Sequence, residues 1–192
     1  PDGAVLVIGG GSSGSQIAAE LNEAGRQVYF SIGPHDRPPR RYRGRDNVWW
    51  LGVLGIWNLD TPAPGTEHVT IAVSGAHGGK TVDFRRLAAR GITLLGMSTG
   101  YDAGVLHIAD DLKANLDAGD ANYLSLLKEA DAYIARNGLD LPQELEAWEI
   151  PDDPPSVSNP VRQVDLAAQG IGTIIWATGF RFDYSWLKAD AL

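Results

Sequence analysis

The chain has 192 residues, of which 44% are hydrophobic and 21% charged, as expected of a folded globular domain. Its net charge of −8 disfavours nucleic acid as a partner, and the absence of cysteine excludes disulfides, thiolate metal sites and dithiol redox chemistry within this sequence. The longest apolar run, residues 48–57, is far shorter than the roughly 20 residues of a membrane helix, so we expect no membrane partner and a cytoplasmic protein.

The first predicted unit spans residues 4–32. An apolar, β-branched run over residues 4–9 predicts a buried parallel strand. Apolar residues then recur at helical spacing until Gly25, and residues 27–32 predict a second strand. Strand, glycine turn, helix and strand in this order form the βαβ unit that is typical of Rossmann-like α/β domains.

The remaining elements follow from apolar periodicity and from Pro and Gly content. In chain order they are a loop (33–47), a short helix (48–57), a strand (68–74), a helix (82–90), two strands (92–95 and 105–108), one long or broken helix (111–137), an acidic connector (142–160) and a last strand (171–178). Asp110 and Asp111 are predicted to cap the long helix. The predicted fold is a three-layer Rossmann-like α/β domain with a parallel sheet and a helical insertion.

The turn after the first strand reads Gly9-Gly-Gly11-Ser-Ser-Gly14 and matches G-x-G-x-x-G. In such a turn Gly9 permits the tight bend, Gly11 the close approach of a pyrophosphate, and Gly14 the close packing of helix on strand. Ser12 and Ser13 are predicted to cap the helix and to donate to phosphate oxygens. The sequence therefore predicts a dinucleotide site here.

The end of the second strand indicates which dinucleotide binds. NAD sites usually place an acid there, and residues 29–33 contain none. Ser31 and the arginines Arg37, Arg40 and Arg41 suit the 2′-phosphate of NADP(H), which favours charged donors. Asp36 weighs against NADP(H). The alternative is that the arginines only solvate the loop or bind a neighbouring domain.

Other residue patterns predict no catalytic group and no metal site. The four histidines lack metal-ligand spacing, and His77 lies in a glycine-rich segment, residues 74–79, that is interpreted as a structural turn. The Tyr-x-x-x-Lys at residues 184–188 is interpreted as accidental. For Trp49, Trp50 and Trp57, burial against a neighbouring domain is favoured over lining a substrate path.

Four segments, in order, carry a resemblance: residues 5–18, 39–46, 74–79 and 176–183. Together they resemble the flavin-containing monooxygenase superfamily, especially bacterial FAD/NADP-dependent oxidoreductases described as flavoproteins involved in potassium transport. The resemblance implies that residues 1–192 are the NADPH-binding portion, with 111–160 as an insertion and 171–192 returning toward a missing FAD domain. It also implies that Ala177 and Gly179, in the motif after the last strand, contact the cofactor.

The chain departs from that family at one place. Family members often have an arginine directly after the second strand, whereas residues 32–36 intervene here before Arg37. The identity of the 2′-phosphate ligand is therefore open.

The resemblance implies a monooxygenase that reduces FAD with NADPH and acts on a small organic substrate, its reactive flavin being held by residues outside this chain. The alternative is a non-catalytic NAD(P)-sensing module; a plain dehydrogenase lacks a convincing Tyr-Lys or His pair. Expected partners are the substrate and the FAD domain of the same protein, and a homodimer is left open.

Overall fold

The computed structural model describes residues 2–60, 70–180, 183 and 185–186. In chain order the elements are β1 (Ala4–Ile8), α1 (Ser12–Glu23), β2 (Val28–Ser31), β3 (Arg41–Tyr42), β4 (Arg45–Asp46), α2 (Asn47–Val53), α3 (Phe84–Ala89), β5 (Thr93–Leu95), β6 (Ser98–Asp102), β7 (Val105–Ile108), α4 (Leu112–Asn137), α5 (Pro155–Ser158), β8 (Gln163–Asp165) and β9 (Ile171–Trp176). Short 3₁₀ helices lie at Ile56–Asn58, Ala76–Gly78 and Leu145–Trp148.

Four parallel strands form the central sheet, in the order β5-β2-β1-β9. Strand β1 lies inside the sheet and is buried along its whole length, as its uninterrupted apolar sequence predicts. From β1 the chain proceeds to β2 and β5 on one side, while β9 lies on the other. The strand order therefore reverses between β1 and β9, and open α/β sheets bind ligands at such a point, outside the carboxyl ends of the strands. The predicted Rossmann-like parallel sheet is confirmed.

Different layers cover the two faces of this sheet. On one face, α1, α3 and the start of α4 enclose a core that includes Val7, Phe30, Phe84 and Leu116. On the other face, an antiparallel sheet of order β6-β7-β8 packs through Leu106 and its neighbours. The domain thus has three layers, but one outer layer is a β-sheet.

The sequence predicts only β7 of this second sheet. Strand β6 reads Ser-Thr-Gly-Tyr-Asp and is mostly exposed, and β8 buries a single side chain, that of Val164. Neither strand carries the apolar alternation by which a half-buried strand is predicted, so only their pairing with β7 defines them.

Helix α4 is one unbroken element of 26 residues, so the broken alternative is wrong. The predicted cap is confirmed only in the position of Asp111 and not in its hydrogen bonding. Asp111 occupies the N-cap position, but its Oδ1 accepts a hydrogen bond from the Met97 N–H at 2.9 Å, and Asp110 pairs instead with Arg162. The helix start is therefore tied to the end of β5 rather than capped locally.

The second half of α4 packs beyond the sheet against α2, the β3-β4 hairpin and the connector. Its buried side chains form a cluster, called the outer core below, which consists of Tyr42, Trp50, Tyr123, Leu127, Ala130 and Ile134. Trp49 packs edge to face on Trp50 with 4.7 Å between ring centroids. Trp50 is thus buried within this chain and Trp49 is half-buried against it, whereas Trp57 is exposed.

Two predicted segments differ from the structure. The predicted strand 68–74 lies partly outside the described residues, and its described part forms only isolated bridges, through Ile71 and Val73. The connector 142–160, for which the sequence predicts no helix, contains a 3₁₀ turn and α5. Across the described part of the chain, no helix has both the length and the apolar content to cross a membrane.

Candidate dinucleotide site

The fold itself requires glycine at two positions of the turn after β1. Gly9 has φ +115°, and a Cβ atom there would lie 2.4 Å from the Ala177 carbonyl oxygen. A Cβ atom at Gly14 would lie 1.9 Å from the Gly9 carbonyl oxygen. Gly14 therefore lets α1 pack directly on the end of β1, which is the role predicted for it.

Gly11 is different. A Cβ atom there would lie 3.5 Å from Thr70 Cγ2, which is ordinary van der Waals contact, and its backbone is extended. The protein's own packing therefore does not require glycine at this position. In a dinucleotide turn the middle glycine makes room for the pyrophosphate, so a glycine that the fold does not require at this position fits that role.

The end of β9 lies beside the same turn. The Ala177 N–H donates to the Ile8 carbonyl at 2.8 Å, and the Ala177 carbonyl is the group that excludes a side chain at Gly9. Gly179 follows with φ +92°, a conformation that favours glycine. Ala177 and Gly179, predicted to contact the cofactor, are thus placed at the carboxyl edge of the sheet next to the glycine turn.

The serines of the turn do not cap α1. The N-cap residue is Gly11, without a side-chain cap. Ser12 Oγ donates to the Ile71 carbonyl at 2.8 Å and accepts from the Val73 N–H at 3.4 Å, while Ser13 is exposed. The first N–H groups of α1 have no acceptor within the helix, as at any helix start, and these are the groups that bind phosphate in dinucleotide folds.

Ser31 is buried beneath the site rather than exposed in it. Its side chain is 2% exposed, and its Oγ donates to the Gly96 carbonyl at 2.8 Å. The same oxygen accepts from the Ser98 N–H at 3.1 Å, so it links β2 to the start of β6. The hydroxyl has no free face for a 2′-phosphate, which corrects the assignment made from the sequence.

Arg37 is likewise an internal residue, only 3% exposed. Its guanidinium pairs with Asp120 at 2.7 Å, donates to the Val82 carbonyl at 3.2 Å and lies 4.4 Å from the centre of the Tyr123 ring. Asp120 is shared with the buried Arg85. This network fixes the loop after β2 to α4, and it corrects the prediction that Arg37 binds phosphate.

Arg40 and Arg41 belong to the loop farther along. The Arg40 N–H donates to Thr81 Oγ1 at 2.9 Å and its guanidinium binds Asp46. The Arg41 side chain is 62% exposed and lies 4.0 Å from the Asp46 carboxylate. Both arginines thus have an acidic neighbour in their own loop.

Helix α4 contacts both this loop and the end of β2, at positions that are far apart along the helix. Near its start, Asn115 Nδ2 donates to the Ile32 carbonyl at 3.3 Å, directly after β2. Farther along, Asp131 accepts from the Tyr42 hydroxyl at 3.0 Å, directly after Arg41. Between Asn115 and Asp131 the helix rises about 24 Å, at about 1.5 Å per residue. The part of the loop at Tyr42 is therefore fixed to a different stretch of α4 from the end of β2.

His35 and Asp36 occupy the loop between β2 and Arg37. His35 is buried, its Nδ1 lies 2.9 Å from the Gly33 carbonyl, and its ring packs edge to face on Phe84. Burial lowers the pKa of the His35 imidazole, and Arg37 adds to this effect. The Asp36 backbone exchanges hydrogen bonds with residues 70 and 72, while its side chain is half-exposed.

A narrow groove of about 110 Å³ lies between α1 and the segment before α3. Gln16 Nε2 donates to Ser74 Oγ at 3.1 Å across it, and Lys80 and Arg86 also line it. Residues 74–79 thus run alongside α1, close to its first turns. Within the described residues, no group of three or more His, Asp or Glu side chains is arranged to hold a metal ion.

Comparison with known proteins gives one partial likeness. The chain is 44% identical over 59 residues to a protein named "Uncharacterized oxidoreductase CzcO-like" from Geobacillus kaustophilus (strain HTA426). Over that stretch the chain is similar to an oxidoreductase. The match covers 30% of this chain and 17% of that protein. No family model and no solved structure matches the chain.

Proposed function

We propose that this chain is the nicotinamide dinucleotide-binding part of an FAD-dependent oxidoreductase, a flavin monooxygenase that acts on a small organic substrate. The observation that carries the proposal is Gly11. It lies at the reversal point of a parallel sheet, at the start of a helix, and the packing of the protein does not itself require glycine there. A pyrophosphate at the helix N-terminus would require it, because it approaches the backbone closely.

The partial likeness supports the oxidoreductase part of the proposal, since the similar protein carries that name. The flavin part is supported by the motifs at residues 5–18 and 176–183, which resemble the flavin-containing monooxygenase superfamily. In this arrangement this chain would bind and orient the nucleotide, which would supply hydride for FAD held by another domain.

The edge strand β9 supports the presence of a second domain. Strand β9 pairs only with β1 among the described strands, and Trp176 at its end is 67% exposed. Ile174 and Phe180 are also exposed on this part of the chain. Exposed apolar groups at a sheet edge mark an interaction surface, and the FAD domain is the proposed occupant.

The sequence-based preference for NADP(H) rested on Ser31, Arg37, Arg40 and Arg41. Because the first two are buried, and Arg40 and Arg41 lie beside the Asp46 carboxylate, the proposal concerns a nicotinamide dinucleotide of either kind. The glycine turn, Ala177 and Gly179 are its proposed contacts.

The test is titration of the 192-residue chain with NADH, NADPH and FAD, followed by calorimetry and by the visible spectrum. We expect a nicotinamide nucleotide to bind, the purified chain to be colourless, and Gly11→Ala to weaken binding at least tenfold while the chain stays folded. Gly52→Ala is the matched control at a glycine of α2, outside the turn, where a Cβ atom would have its nearest neighbour at 3.6 Å, and it should leave binding unchanged. Stoichiometric FAD on the purified chain would assign the turn to flavin instead.

A further inference from the structure

We infer that the site prefers NAD(H) over NADP(H) and that Asp36 is the residue that sets this preference. The inference rests on the proposed function, because it concerns the same glycine turn. In a Rossmann-like site, an acid near the end of the second strand hydrogen-bonds the ribose hydroxyls of NAD, whereas an arginine there accommodates the 2′-phosphate of NADP. The question is therefore which charged side chain the fold presents at the end of β2.

The cations near this place have acidic partners. Arg37 is buried and bound to Asp120, so its charge is neutralised inside the protein. Lys113, on the first turn of α4, lies 2.5 Å from Asp117 and 3.7 Å from Asp153. A 2′-phosphate at the end of β2 would have to compete with these carboxylates for either cation.

Residues 37–45, called the arginine loop below, do not supply a substitute, since Arg40 and Arg41 lie beside the Asp46 carboxylate. Tyr42, next to Arg41, contacts Asp131 on α4, whereas the Ile32 carbonyl contacts Asn115 near the start of the same helix. Arg43 is held at the same level of the helix, by a pair with Asp131 at 3.3 Å. The positive charge that the sequence concentrates in residues 37–45 thus serves mainly to attach the loop to the acidic helix α4 and to itself.

Asp36 is placed for a different role. It follows Gly14 by about 20 residues, which is the spacing of the ribose-binding acid in NAD sites. Its N–H donates to the Thr70 carbonyl at 2.8 Å, and its carbonyl accepts from the Ala72 N–H at 2.8 Å. Residues 70–73 in turn contact Gly11 and Ser12, so Asp36 lies two hydrogen-bonded steps from the glycine turn.

The Asp36 side chain is free to act. It is half-exposed, and no hydrogen bond or ion pair found among the described residues uses its carboxylate. That carboxylate can accept hydrogen bonds from a ribose diol, whereas it repels a 2′-phosphate, which carries up to two negative charges. The same group therefore attracts one nucleotide and rejects the other.

The experiment measures the dissociation constants of NADH and NADPH for the 192-residue chain by calorimetry at one fixed salt concentration. We expect NADH to bind at least about tenfold tighter than NADPH. Asp36→Asn removes the charge but keeps a hydrogen-bonding group, so it should tighten NADPH and bring the ratio of the two constants close to one.

Two control variants separate this effect from general electrostatics. Asp140→Asn changes the net charge equally, but Asp140 lies beyond the far end of α4, so it should leave the ratio unchanged. Arg41→Ala should also leave NADPH binding unchanged. Circular dichroism of each variant checks that the chain is folded.

The outcomes are distinguishable. Tighter binding of NADPH than of NADH, or an unchanged ratio in Asp36→Asn, overturns the NAD(H) inference and leaves the proposed function standing. A folded chain that binds neither nucleotide overturns both. A loss of NADPH affinity in Arg41→Ala would also overturn the inference, because it would place the arginine loop in the site.

Discussion

The imidazole of His35 lies directly against the backbone of Gly119 in the middle of α4, where a Cβ atom on the glycine would be 2.5 Å from His35 Nε2. Glycine inside a helix destabilises it by about 1 kcal/mol relative to alanine. By helix propensity alone, Gly119→Ala should therefore stabilise the protein. The contact with the buried His35 predicts the opposite.

We expect Gly119→Ala to lower the free energy of unfolding by about 1–3 kcal/mol, because the added methyl group overpacks the junction. Urea unfolding measures this difference. The combination of Gly119→Ala with His35→Ala should be less destabilising than the sum of the two single variants, since the clash is gone. Additive effects of the two substitutions would mean that the ring and the helix are not coupled.

His35 also predicts a pH dependence of stability. Burial lowers the pKa of its imidazole from 6.5, so the folded protein holds the neutral form. The unfolded chain takes up a proton below about pH 6.5. The contribution of neutral His35 is therefore complete above that pH and is lost as the pH falls from about 6.5 toward the lowered pKa of the folded state.

The measurement is the free energy of unfolding between pH 7.5 and 5.5 for the parent chain and for His35→Asn. We expect the variant to be less stable at neutral pH but to lose less stability on acidification. His107→Asn, which removes a histidine on β7, should keep the slope of the parent. An equal slope in all three proteins would assign the acid sensitivity to other groups.

The first βαβ unit could be predicted from the sequence because its signals are local. A continuous apolar run predicts β1, helical periodicity predicts α1, and glycine spacing predicts the turn between them. The roles of Gly9 and Gly14 follow from the same spacing, and the distances to Ala177 and Gly9 agree with them.

The role of the arginine loop could not be predicted from such local signals. Its charges suggest an anion site when they are read alone, but the acids that neutralise Arg37 and Arg43 are more than 80 residues away along the chain. Arg37 meets Asp120, and Arg43 meets Asp131, only because α4 folds back over the loop. The sequence shows an acidic helix and a basic loop, but it contains no local signal that the two pair with each other.

The network around Asp120 predicts a large difference between two carboxylates on α4. Asp120 is buried and binds both Arg37 and Arg85, whereas Asp117 is half-exposed and lies 3.3 Å from Arg85. Asp120→Asn leaves two buried guanidinium groups without their shared anion, which costs about 3–5 kcal/mol. Asp117→Asn should cost less than about 1 kcal/mol, because water screens an exposed pair.

Thermal or urea unfolding of both variants tests this prediction, and the two substitutions are matched in size and charge. Asp120→Asn should also release the loop after β2, which amide hydrogen exchange would detect at residues 33–38. Equal stability of the two variants would show that the buried pairs contribute no more than surface pairs.

The last prediction concerns the two glycines of the turn that differ in their surroundings. At Gly14 a Cβ atom meets the Gly9 carbonyl oxygen at 1.9 Å, so Gly14→Ala must push α1 away from β1. We expect the free energy of unfolding to fall by about 3 kcal/mol or more, since both elements pack in the core between the parallel sheet and its helices. At Gly11 a Cβ atom has its nearest neighbour at 3.5 Å, and Gly11→Ala should change stability by less than about 0.5 kcal/mol.

Chemical unfolding of the two variants without nucleotide compares them directly. Because Gly11→Ala is also expected to lose nucleotide binding, a variant with parental stability and no binding would separate the ligand's requirement for glycine from that of the fold. If Gly11→Ala proves as unstable as Gly14→Ala, the space at Gly11 serves the fold, and its use as the pyrophosphate site loses its main support.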